Sequence, residues 1–299
     1  MNLADGINSF LARFDVAVIR RSTLERLVQE PSADVRDLQL DVLHRELLKH
    51  QIAVKWELLD FQVRQCGSSV PAVRTCPLCE QVGPEAEFAG PASHCIFGGG
   101  HLQRNRCPGC GLIFGADKMF ALTAAELSQD YAWHYKAYAE GDSTPQEVRA
   151  FHALQPVRGR RYLNFGAGAW SRSVEQLRAE GWDVWSYEPH AAPSGALFPM
   201  ISDARQLATM RFDGIFSNNV LEHFRHPVQE LSFMATLLKP GGRMAHATPC
   251  FEYKYEYTRF HLFFFTGRSR DVLTAKAGLT LVDFVNDGDF MCAVWKSAG

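Results

Sequence analysis

The sequence has no long apolar run and almost no net charge. Its uninterrupted apolar segments stay well short of the roughly 20 residues that a transmembrane helix requires. With 31 basic and 33 acidic residues the formal net charge is −2 at pH 7, so no general positive field attracts nucleic acid or an anionic membrane. The first residues, Met1 to Gly6, lack the basic and apolar stretches of a signal peptide. These absences disfavour membrane-spanning, secreted and polyanion-binding proteins and predict a cytoplasmic location.

What is present is typical of a folded globular protein. Of the 299 residues, 46% are hydrophobic and 21% are charged, which is enough for a sizeable core and for more than one domain. The eight cysteines would lie in a reducing compartment, where metal binding is more common than disulfide formation.

Four of the cysteines form two C-x-x-C pairs. Cys76 and Cys79 form the first pair and Cys107 and Cys110 form the second, 28 positions after Cys79. Each pair presents two thiolates from a tight turn, and together they predict a closed, structural zinc site. The glycines at 98–100 predict the tip of a hairpin between the pairs. A redox dithiol explains one pair but not two. Exchange of one ligand for a neighbouring residue is a further alternative, the candidates being His94, Cys95 and His101.

The segments on either side of this ribbon are predicted to be helical. A long amphipathic helix is predicted from Ser32, with a capped shorter helix before it. Its apolar stripe is wider than a coiled-coil seam, so it either packs on its own protein or contacts a partner or a second subunit as a homodimer. After the ribbon, the aromatic rings of Tyr131 to Tyr138 predict a helical face that packs on the next domain or covers a ligand. Thr144 and Pro145 predict the start of one more helix.

The stretch from Tyr162 to Ser171 predicts a buried strand, a glycine-rich turn and the start of a helix. Gly166 and Gly168 allow close approach of a ligand to the backbone. Glu188 follows at the end of the next apolar run, where a carboxylate accepts hydrogen bonds from both hydroxyls of a ribose. The pattern therefore predicts a nucleotide-type site at this turn.

From Arg160 onward, predicted strands alternate with helices, which is typical of an α/β protein with a parallel sheet. The strands are predicted at 161–166, 183–187, 199–202, 213–217, 243–248, 279–285 and 290–296. The helices are predicted at 170–180, 227–238 and 267–277. Asn286 to Asp289 predicts a hairpin between the last two strands, and a closing antiparallel hairpin is not typical of a dinucleotide-binding sheet.

On these landmarks, the segment from Tyr162 to Lys296 resembles the class I S-adenosylmethionine-dependent methyltransferases. The landmarks are the glycine turn Asn164-Phe-Gly-Ala-Gly168, the acidic strand end Tyr187-Glu-Pro189, the run from Phe212 to His223, and Leu238-Lys-Pro-Gly-Gly242. The resemblance implies a Rossmann-like seven-stranded sheet. Bulky Trp170, just before the third position of a dinucleotide fingerprint, also favours a ligand without a pyrophosphate.

The predicted organisation is a helical region over residues 1–70, a zinc ribbon over 71–118, a helical linker or lid over 119–158 and a methyltransferase domain over 159–299. From residue 72 onward the chain is similar to bacterial methyltransferases that carry an N-terminal zinc ribbon and are commonly associated with sugar and surface-glycan biosynthesis. This similarity implies S-adenosylmethionine and a small-molecule or glycan acceptor in that biosynthesis.

The resemblance also implies roles for individual residues. The residues implied at the cofactor are Asn164, Gly166, Gly168, Glu188, Asp203, Ser217 and Asn218. The family usually has an acid where Asn164 stands, and Glu222 is a candidate to compensate for it. A hydroxyl acceptor also needs a base, for which a histidine is suited near pH 7.

His223 and His261 are the predicted catalytic residues. His246, in the middle of a predicted strand, is expected to be a core histidine. Cys250 is not expected to act as a nucleophile, since methyl transfer requires no covalent step. Tyr253 and Tyr255 belong either to a solvated segment or to an acceptor cover.

The sequence is also compatible with two other functions. Some ribosomal RNA methyltransferases combine a ribbon with this domain, and Arg104 and Arg106 give the ribbon some basic character. Alternatively, the chain has a degenerate cofactor site and acts as a scaffold, for which Asn164 is the only support.

Overall fold

The protein was examined as a computed structural model that describes residues 33–65, 73–138, 141–168, 172–189 and 199–297. The chain divides into two compact units, Met1–Leu48 and Lys49–Gly299. The predictions on residues 1–32, the linker at 66–71 and the cap at Ser171 lie outside the described residues. Within the described ranges, no helix combines the length and apolar character needed to cross a membrane.

Helix α1, Ala33–Gln65, matches the long helix predicted from Ser32 and runs through the boundary between the units. In the second unit, Ile52 and Trp56 are fully buried, and these two residues are one helical turn apart. Several large apolar side chains of α1 are exposed instead: Leu40, Val42, Leu43, Leu47, Val54, Leu58, Phe61 and Val63. The helix therefore packs one narrow face on its own protein, and a partner on the other face stays a prediction.

The ribbon consists of short antiparallel strands. These are β1 (Val73–Thr75), β2 (Val82–Pro84), β3 (Ala89–His94), β4 (His101–Arg106) and β5 (Ile113–Gly115). β1 pairs with β2, while β3, β4 and β5 form a sheet in that order. The β3–β4 hairpin turns at residues 95–100, as the glycines predict, and Gly98 and Gly100 have φ values of 71° and 67°.

Three helices follow the ribbon: α2 (Asp117–Phe120), α3 (Ala124–Ala137) and α4 (Thr144–Ala153). Thr123 caps α3, and Glu126 completes a capping box with it. The predicted cap of α4 was wrong by one residue. Ser143 is at the N-cap, while Thr144 is the first helical residue and its N–H donates to Asp142. The Asp142 side chain supplies the hydrogen bond expected from a cap, and the helix begins one residue early.

The remaining chain forms a mixed seven-stranded sheet, as predicted. Its elements in chain order are β6 (Arg161–Phe165), α5 (Ser173–Ala179), β7 (Asp183–Tyr187), β8 (Met200–Ile201), α6 (Ala204–Ala208), β9 (Phe212–Asn218), α7 (Pro227–Thr236), β10 (Leu238–Ala247), β11 (Phe263–Phe264), α8 (Ser269–Lys276), β12 (Leu279–Asn286) and β13 (Met291–Ser297). The strand order is β12-β13-β10-β9-β6-β7-β8, with β11 outside this sheet. Only the pairs that involve β13 are antiparallel among these strands.

Two features of this sheet differ from the expectation. β10 begins at Leu238 and carries the Lys-Pro-Gly-Gly segment as a bulge before Arg243, whereas the sequence predicted a strand only from residue 243. β11 belongs by sequence to the predicted methyltransferase domain, but it pairs with β5 of the ribbon. The ribbon sheet is therefore completed by a strand about 150 residues further along the chain.

The main core lies between the sheet and helices α4 and α5. Phe151 of α4 is fully buried and its ring packs edge-on against Tyr162 of β6 and Phe216 of β9. Leu177 of α5 is buried in the same cluster. The two helices that flank β6 in the chain, α4 and α5, thus share one core cluster with β6.

Candidate functional site

The four cysteines of the two C-x-x-C pairs lie together and are called here the tetracysteine cluster (Cys76, Cys79, Cys107 and Cys110). Their sulfur atoms all lie within 4.8 Å of one another. The Sγ atoms of Cys76 and Cys110 are 3.8 Å apart and those of Cys79 and Cys107 are 3.4 Å apart. Four sulfurs at this spacing fit a single tetrahedral zinc ion, which agrees with the predicted ligand set.

Each cysteine pair is presented by a closed turn. Cys76 N–H donates to the carbonyl of Gln81, and Cys107 N–H donates to that of Leu112. The contact with Cys110 and the backbone N–H groups of Cys79 and Leu78 lower the pKa of the Cys76 thiol, and the same contact raises the pKa of the Cys110 thiol. Binding of a metal by all four sulfurs would therefore release protons. Cys95, between the pairs, packs with Leu102 and Ala116 instead, so it does not belong to the cluster.

The glycine turn follows β6 at the carboxyl edge of the sheet. Gly166 and Gly168 have φ values of 75° and 64°, a region that side chains rarely adopt. A Cβ on Gly166 would lie 2.8 Å from Val220, which places the loop after β9 directly against the turn. The carboxylate of Glu188, after β7, accepts a hydrogen bond from Gly168 N–H at 3.1 Å. These two contacts hold the turn in the shape that the sequence predicts.

Asn164, before the turn, is fully buried and joins a polar group that the sequence did not indicate. Its Nδ2 donates to the carboxylate of Glu147 and, at 3.1 Å, to Ser173 Oγ. Glu147 lies in α4, is 2% exposed and also accepts from Ser143 and Ser173. Among the described residues, Asn164 Oδ1 has no hydrogen-bond partner.

The carboxylate in contact with Asn164 is thus Glu147. Glu222, the residue that the sequence suggested for compensation, lies near His261, and its role at the cofactor stays a prediction. Glu147 is three residues after Thr144, the spacing of a capping acid, and that spacing was the one signal in the sequence. Because the sequence predicted α4 only as a linker, its contact with β6 was not foreseen.

The other predicted cofactor residues lie at the same edge. Asp203 follows β8, is exposed, and caps α6 by accepting from Arg205 N–H at 2.8 Å. Ser217 and Asn218 end β9. The Ser217 hydroxyl is buried and lies 2.6 Å from His246 Nδ1. His246 is fully buried, and burial lowers its pKa to about 3, so it is the core histidine that the sequence predicts.

His223 and His261 meet in space with Glu222, and these three residues are called here the acceptor cluster. One donor atom from each lies within 4.8 Å of the others. The two rings are 4.9 Å apart and nearly perpendicular. His261 Nε2 is 3.8 Å from Glu222 Oε1. The structure therefore brings together both predicted catalytic histidines, although 38 positions separate them.

Burial determines the charge state of this cluster. Glu222 is fully buried, and burial raises its pKa to about 7. Its own N–H and the Thr248 hydroxyl face the carboxylate, but neither makes a well-formed hydrogen bond to it. Burial lowers the pKa of His223 to about 4 and also lowers that of His261. Both imidazoles are consequently neutral at pH 7 and available as proton acceptors or ligands.

Two neighbours hold the imidazoles in place. The Tyr131 hydroxyl, from α3, lies 2.9 Å from His223 Nδ1, and the Tyr131 ring stacks on Phe260 at 4.1 Å. Cys250 Sγ lies 3.4 Å from His261 Nδ1. Burial raises the pKa of the Cys250 thiol, in agreement with its predicted lack of nucleophilic function. The aromatic face of α3 thus packs on the chain and also reaches the cluster.

A buried ion pair anchors this region, and no sequence pattern indicates it. Arg259 donates to Asp130 of α3 at 2.6 Å, and both side chains are fully buried. Asp130 also accepts from Trp56 and Lys55 of α1. Arg259 donates further to the carbonyl of Phe97 at the ribbon hairpin. The pair therefore links the ribbon, α1, α3 and the segment that carries His261.

The two tyrosines before this segment differ in exposure. Tyr253 is half-buried and its ring lies 4.7 Å from that of Phe264. Tyr255 is 50% exposed and has a φ of 57°. Tyr253 is thus part of the packing, while Tyr255 is largely solvated.

Comparison with known proteins gives a consistent picture. Residues 135–283 match a family model described as a methyltransferase domain. No curated protein sequence matches the chain. Among solved structures, the chain is similar to 1,6-didemethyltoxoflavin-N1-methyltransferase of Burkholderia thailandensis, determined with bound S-adenosylhomocysteine, at 18% identity and a TM-score of 0.47 over 66% of this chain and 95% of that one.

Two further solved structures are similar with lower TM-scores. The CcbJ methyltransferase of Streptomyces caelestis is 15% identical, with a TM-score of 0.41 over 55% of this chain and 95% of its own. A TehB-like methyltransferase of Corynebacterium glutamicum is 21% identical, with a TM-score of 0.39 over 57% of this chain and 97% of its own. The family match and the fold together identify the enzyme class: the chain carries a methyltransferase domain and is an S-adenosylmethionine-dependent methyltransferase.

Proposed function

We propose that the enzyme transfers the methyl group of S-adenosylmethionine to a hydroxyl of a small sugar or glycan acceptor, as in surface-polysaccharide biosynthesis. The acceptor cluster carries this proposal. His223 follows β9 and is half-buried, His261 is brought beside it from the segment before β11 and is buried, and both imidazoles are neutral. Val220, in the same loop as His223, lies against Gly166 of the turn. A proton acceptor is thereby kept beside the place where a cofactor on this turn would present its methyl group.

The residues around the turn fit the cofactor. The methionine part carries an ammonium group, and Asn164 Oδ1 and the Glu147 carboxylate offer a buried acceptor and a negative charge for it. Glu188 would accept from the ribose hydroxyls, and Asp203 would contact the adenine. The backbone at Gly166, Gly168, Ser217 and Asn218 would line the remaining space.

When bound, the cofactor supplies a sulfonium methyl with a neutral leaving group. The chain then has to position the acceptor and remove its proton. His223 and His261 are the two proton acceptors that we propose. Glu222, 3.8 Å from His261 Nε2, would stabilise the imidazolium formed there.

A small acceptor is favoured over RNA by the environment of Arg104. This side chain is fully buried and donates to the carbonyl oxygens of Gly115, Thr258 and His261. It supports the segment that carries His261 and is not available to a phosphate backbone, which removes half of the basic character noted in the ribbon. The exposed Arg106 alone gives little attraction.

For the tetracysteine cluster we propose a structural zinc ion. Four thiolates complete its coordination, so the ion would stabilise the ribbon and take no part in methyl transfer.

The proposal is tested by offering the enzyme S-adenosylmethionine with a labelled methyl group, together with nucleotide sugars, glycan extracts or RNA. We expect label in a base-stable ether of a sugar or glycan. Label in RNA alone would favour the alternative acceptor. A lack of S-adenosylmethionine binding at millimolar concentration, measured by calorimetry, would contradict enzymatic function and favour the scaffold.

A further inference from the structure

The acceptor cluster contains a buried carboxylate, Glu222, that pairs with no lysine or arginine among the described residues. Glu222 is fully buried, and neither oxygen has a well-formed hydrogen bond within the part of the chain that the structure describes. The cationic side chain of Arg104 contacts carbonyl oxygens, including that of His261, and does not pair with Glu222. Burial of an unpaired carboxylate is costly, and a bound cation removes that cost.

The two imidazoles are arranged as metal ligands usually are. Nδ1 of His223 contacts the Tyr131 hydroxyl at 2.9 Å, and Nδ1 of His261 contacts Cys250 Sγ at 3.4 Å. In metal sites, a contact at one ring nitrogen fixes the ring and leaves the other nitrogen for the ion. His261 Nε2, the nitrogen left over, is the one that faces Glu222.

We propose that Glu222, His223 and His261 bind one divalent first-row transition metal ion, separate from the tetracysteine cluster. Two imidazoles and one carboxylate suit Zn²⁺, Fe²⁺, Co²⁺ or Mn²⁺ and leave coordination positions open. One donor atom of each residue already lies within 4.8 Å of the others, so small side-chain movements would close the site.

The role of this ion rests on the proposed function. An acceptor hydroxyl would occupy an open position, and the ion would lower the pKa of that hydroxyl. The proton would leave to solvent, the oxygen would form a bond to the methyl carbon, and the carbon–sulfur bond would break to give neutral S-adenosylhomocysteine. In this form of the enzyme the two histidines act as ligands, and the ion takes over activation of the hydroxyl.

Cobalt(II) is a suitable probe for full-length protein that carries a single zinc ion per chain, which the tetracysteine cluster retains. We expect about one Co²⁺ per chain beyond the zinc, measured by calorimetry, with visible absorption that lacks thiolate-to-cobalt charge transfer. Glu222→Gln and His261→Gln should each weaken binding by at least about tenfold, and Tyr131→Phe should weaken it by about tenfold because it releases His223. Exposed controls, Glu252→Gln and His226→Gln, should bind Co²⁺ as the unchanged protein does.

Circular dichroism and zinc content establish that each variant is folded. Equal Co²⁺ affinity in Glu222→Gln, His261→Gln and the unchanged protein overturns the metal site, as does a lack of binding by the folded protein. Thiolate charge transfer also overturns it, because the cobalt would then occupy the cysteines. Binding of Co²⁺ without methylation of any hydroxyl acceptor supports the site and contradicts the proposed function. Full hydroxyl methylation in chelator-treated protein that retains only its ribbon zinc overturns the role of the ion.

Discussion

The tetracysteine cluster and the acceptor cluster are both compact sets of metal-type ligands, but they are assembled differently. The cysteines come in two pairs from two tight turns, so each half is determined by a few neighbouring residues. The acceptor cluster combines the loop after β9 with a segment 38 positions later and is held by Tyr131 from a third element. Local turns make the first cluster robust, whereas the second depends on the packing of distant parts of the chain.

Removal of one cysteine should give the largest effect. In Cys76→Ser we expect zinc to be lost and the ribbon to unfold, since structural zinc contributes roughly 10–16 kcal/mol of binding free energy in small zinc modules. Because β11 pairs with β5, solubility should also fall. Metal analysis and circular dichroism measure this. Cys95→Ser is the matched control, a buried cysteine outside the cluster, and it should retain zinc; loss of zinc in the control would contradict the assigned ligand set.

The packing on which the acceptor cluster depends can be broken at Asp130. Asp130→Ala leaves the buried Arg259 guanidinium without its partner, which should lower the free energy of unfolding by about 3–5 kcal/mol. Urea unfolding measures the change. Asp287→Ala, which removes an exposed partner of Arg149, should cost much less. Equal losses in the two variants would mean that the buried pair has no special role in this region.

The proposed contact of Glu147 with the cofactor can be tested by substitution, and like the acceptor cluster it depends on packing between distant parts of the chain. Glu147→Gln should weaken the binding of S-adenosylhomocysteine by about tenfold, because a charge-assisted contact to the amino-acid part is lost. Binding of methylthioadenosine, which lacks that part, should not change. Calorimetry with both ligands measures the difference.

A rescue variant makes the same test sharper. When Glu147→Gln is combined with Asn164→Asp, the site regains a carboxylate, now at residue 164 just before the glycine turn. Affinity for S-adenosylhomocysteine should then recover. If both ligands lose affinity equally in Glu147→Gln, the residue only supports the fold of the turn.

The pH dependence of stability tests the burial of the histidines, in protein whose acceptor cluster holds no metal ion. Burial lowers the pKa of His134 and His223 to about 4 and that of His246 to about 3. Between about pH 4.5 and 6.5 the unfolded chain therefore binds more protons at these sites, and their contribution to stability is lost as pH falls. Glu222, with its pKa raised to about 7, acts in the opposite direction, because its contribution is lost as pH rises through this range.

Burial also lowers the pKa of His261 and raises that of Glu230. With four histidines against two carboxylates, the free energy of unfolding should increase from about pH 4.5 to 6.5. Urea unfolding at several pH values measures the slope. His223→Gln should reduce the slope, whereas replacement of the exposed His226 should leave it nearly unchanged. A slope of opposite sign would show that these histidines are not kept neutral.

The comparison of the two clusters also explains what could be predicted from the sequence. The C-x-x-C pairs, the glycines of the turn and the closing hairpin are local patterns. The four cysteines do come together, Gly166 and Gly168 have positive φ values, and β12 and β13 pair as predicted. The seven-stranded sheet could also be predicted, because β6, β7, β9 and β13 are largely apolar runs. The partner of Asn164 could not be predicted, since Glu147 reaches it only after α4 packs on β6. The Arg259–Asp130 pair and the β5–β11 pairing join residues well over 100 positions apart, and no local pattern indicates such contacts.

The most direct test of the central claim is methyl transfer by the zinc-loaded enzyme with His223→Gln and His261→Gln combined. The unchanged enzyme should place the labelled methyl group on a hydroxyl of a sugar or glycan acceptor. The double variant should be slower by at least about 100-fold, since it lacks both groups that activate the hydroxyl, and it should keep its affinity for S-adenosylhomocysteine. Transfer at an unchanged rate, or label found only in RNA, would contradict the assignment of this cluster to a hydroxyl acceptor.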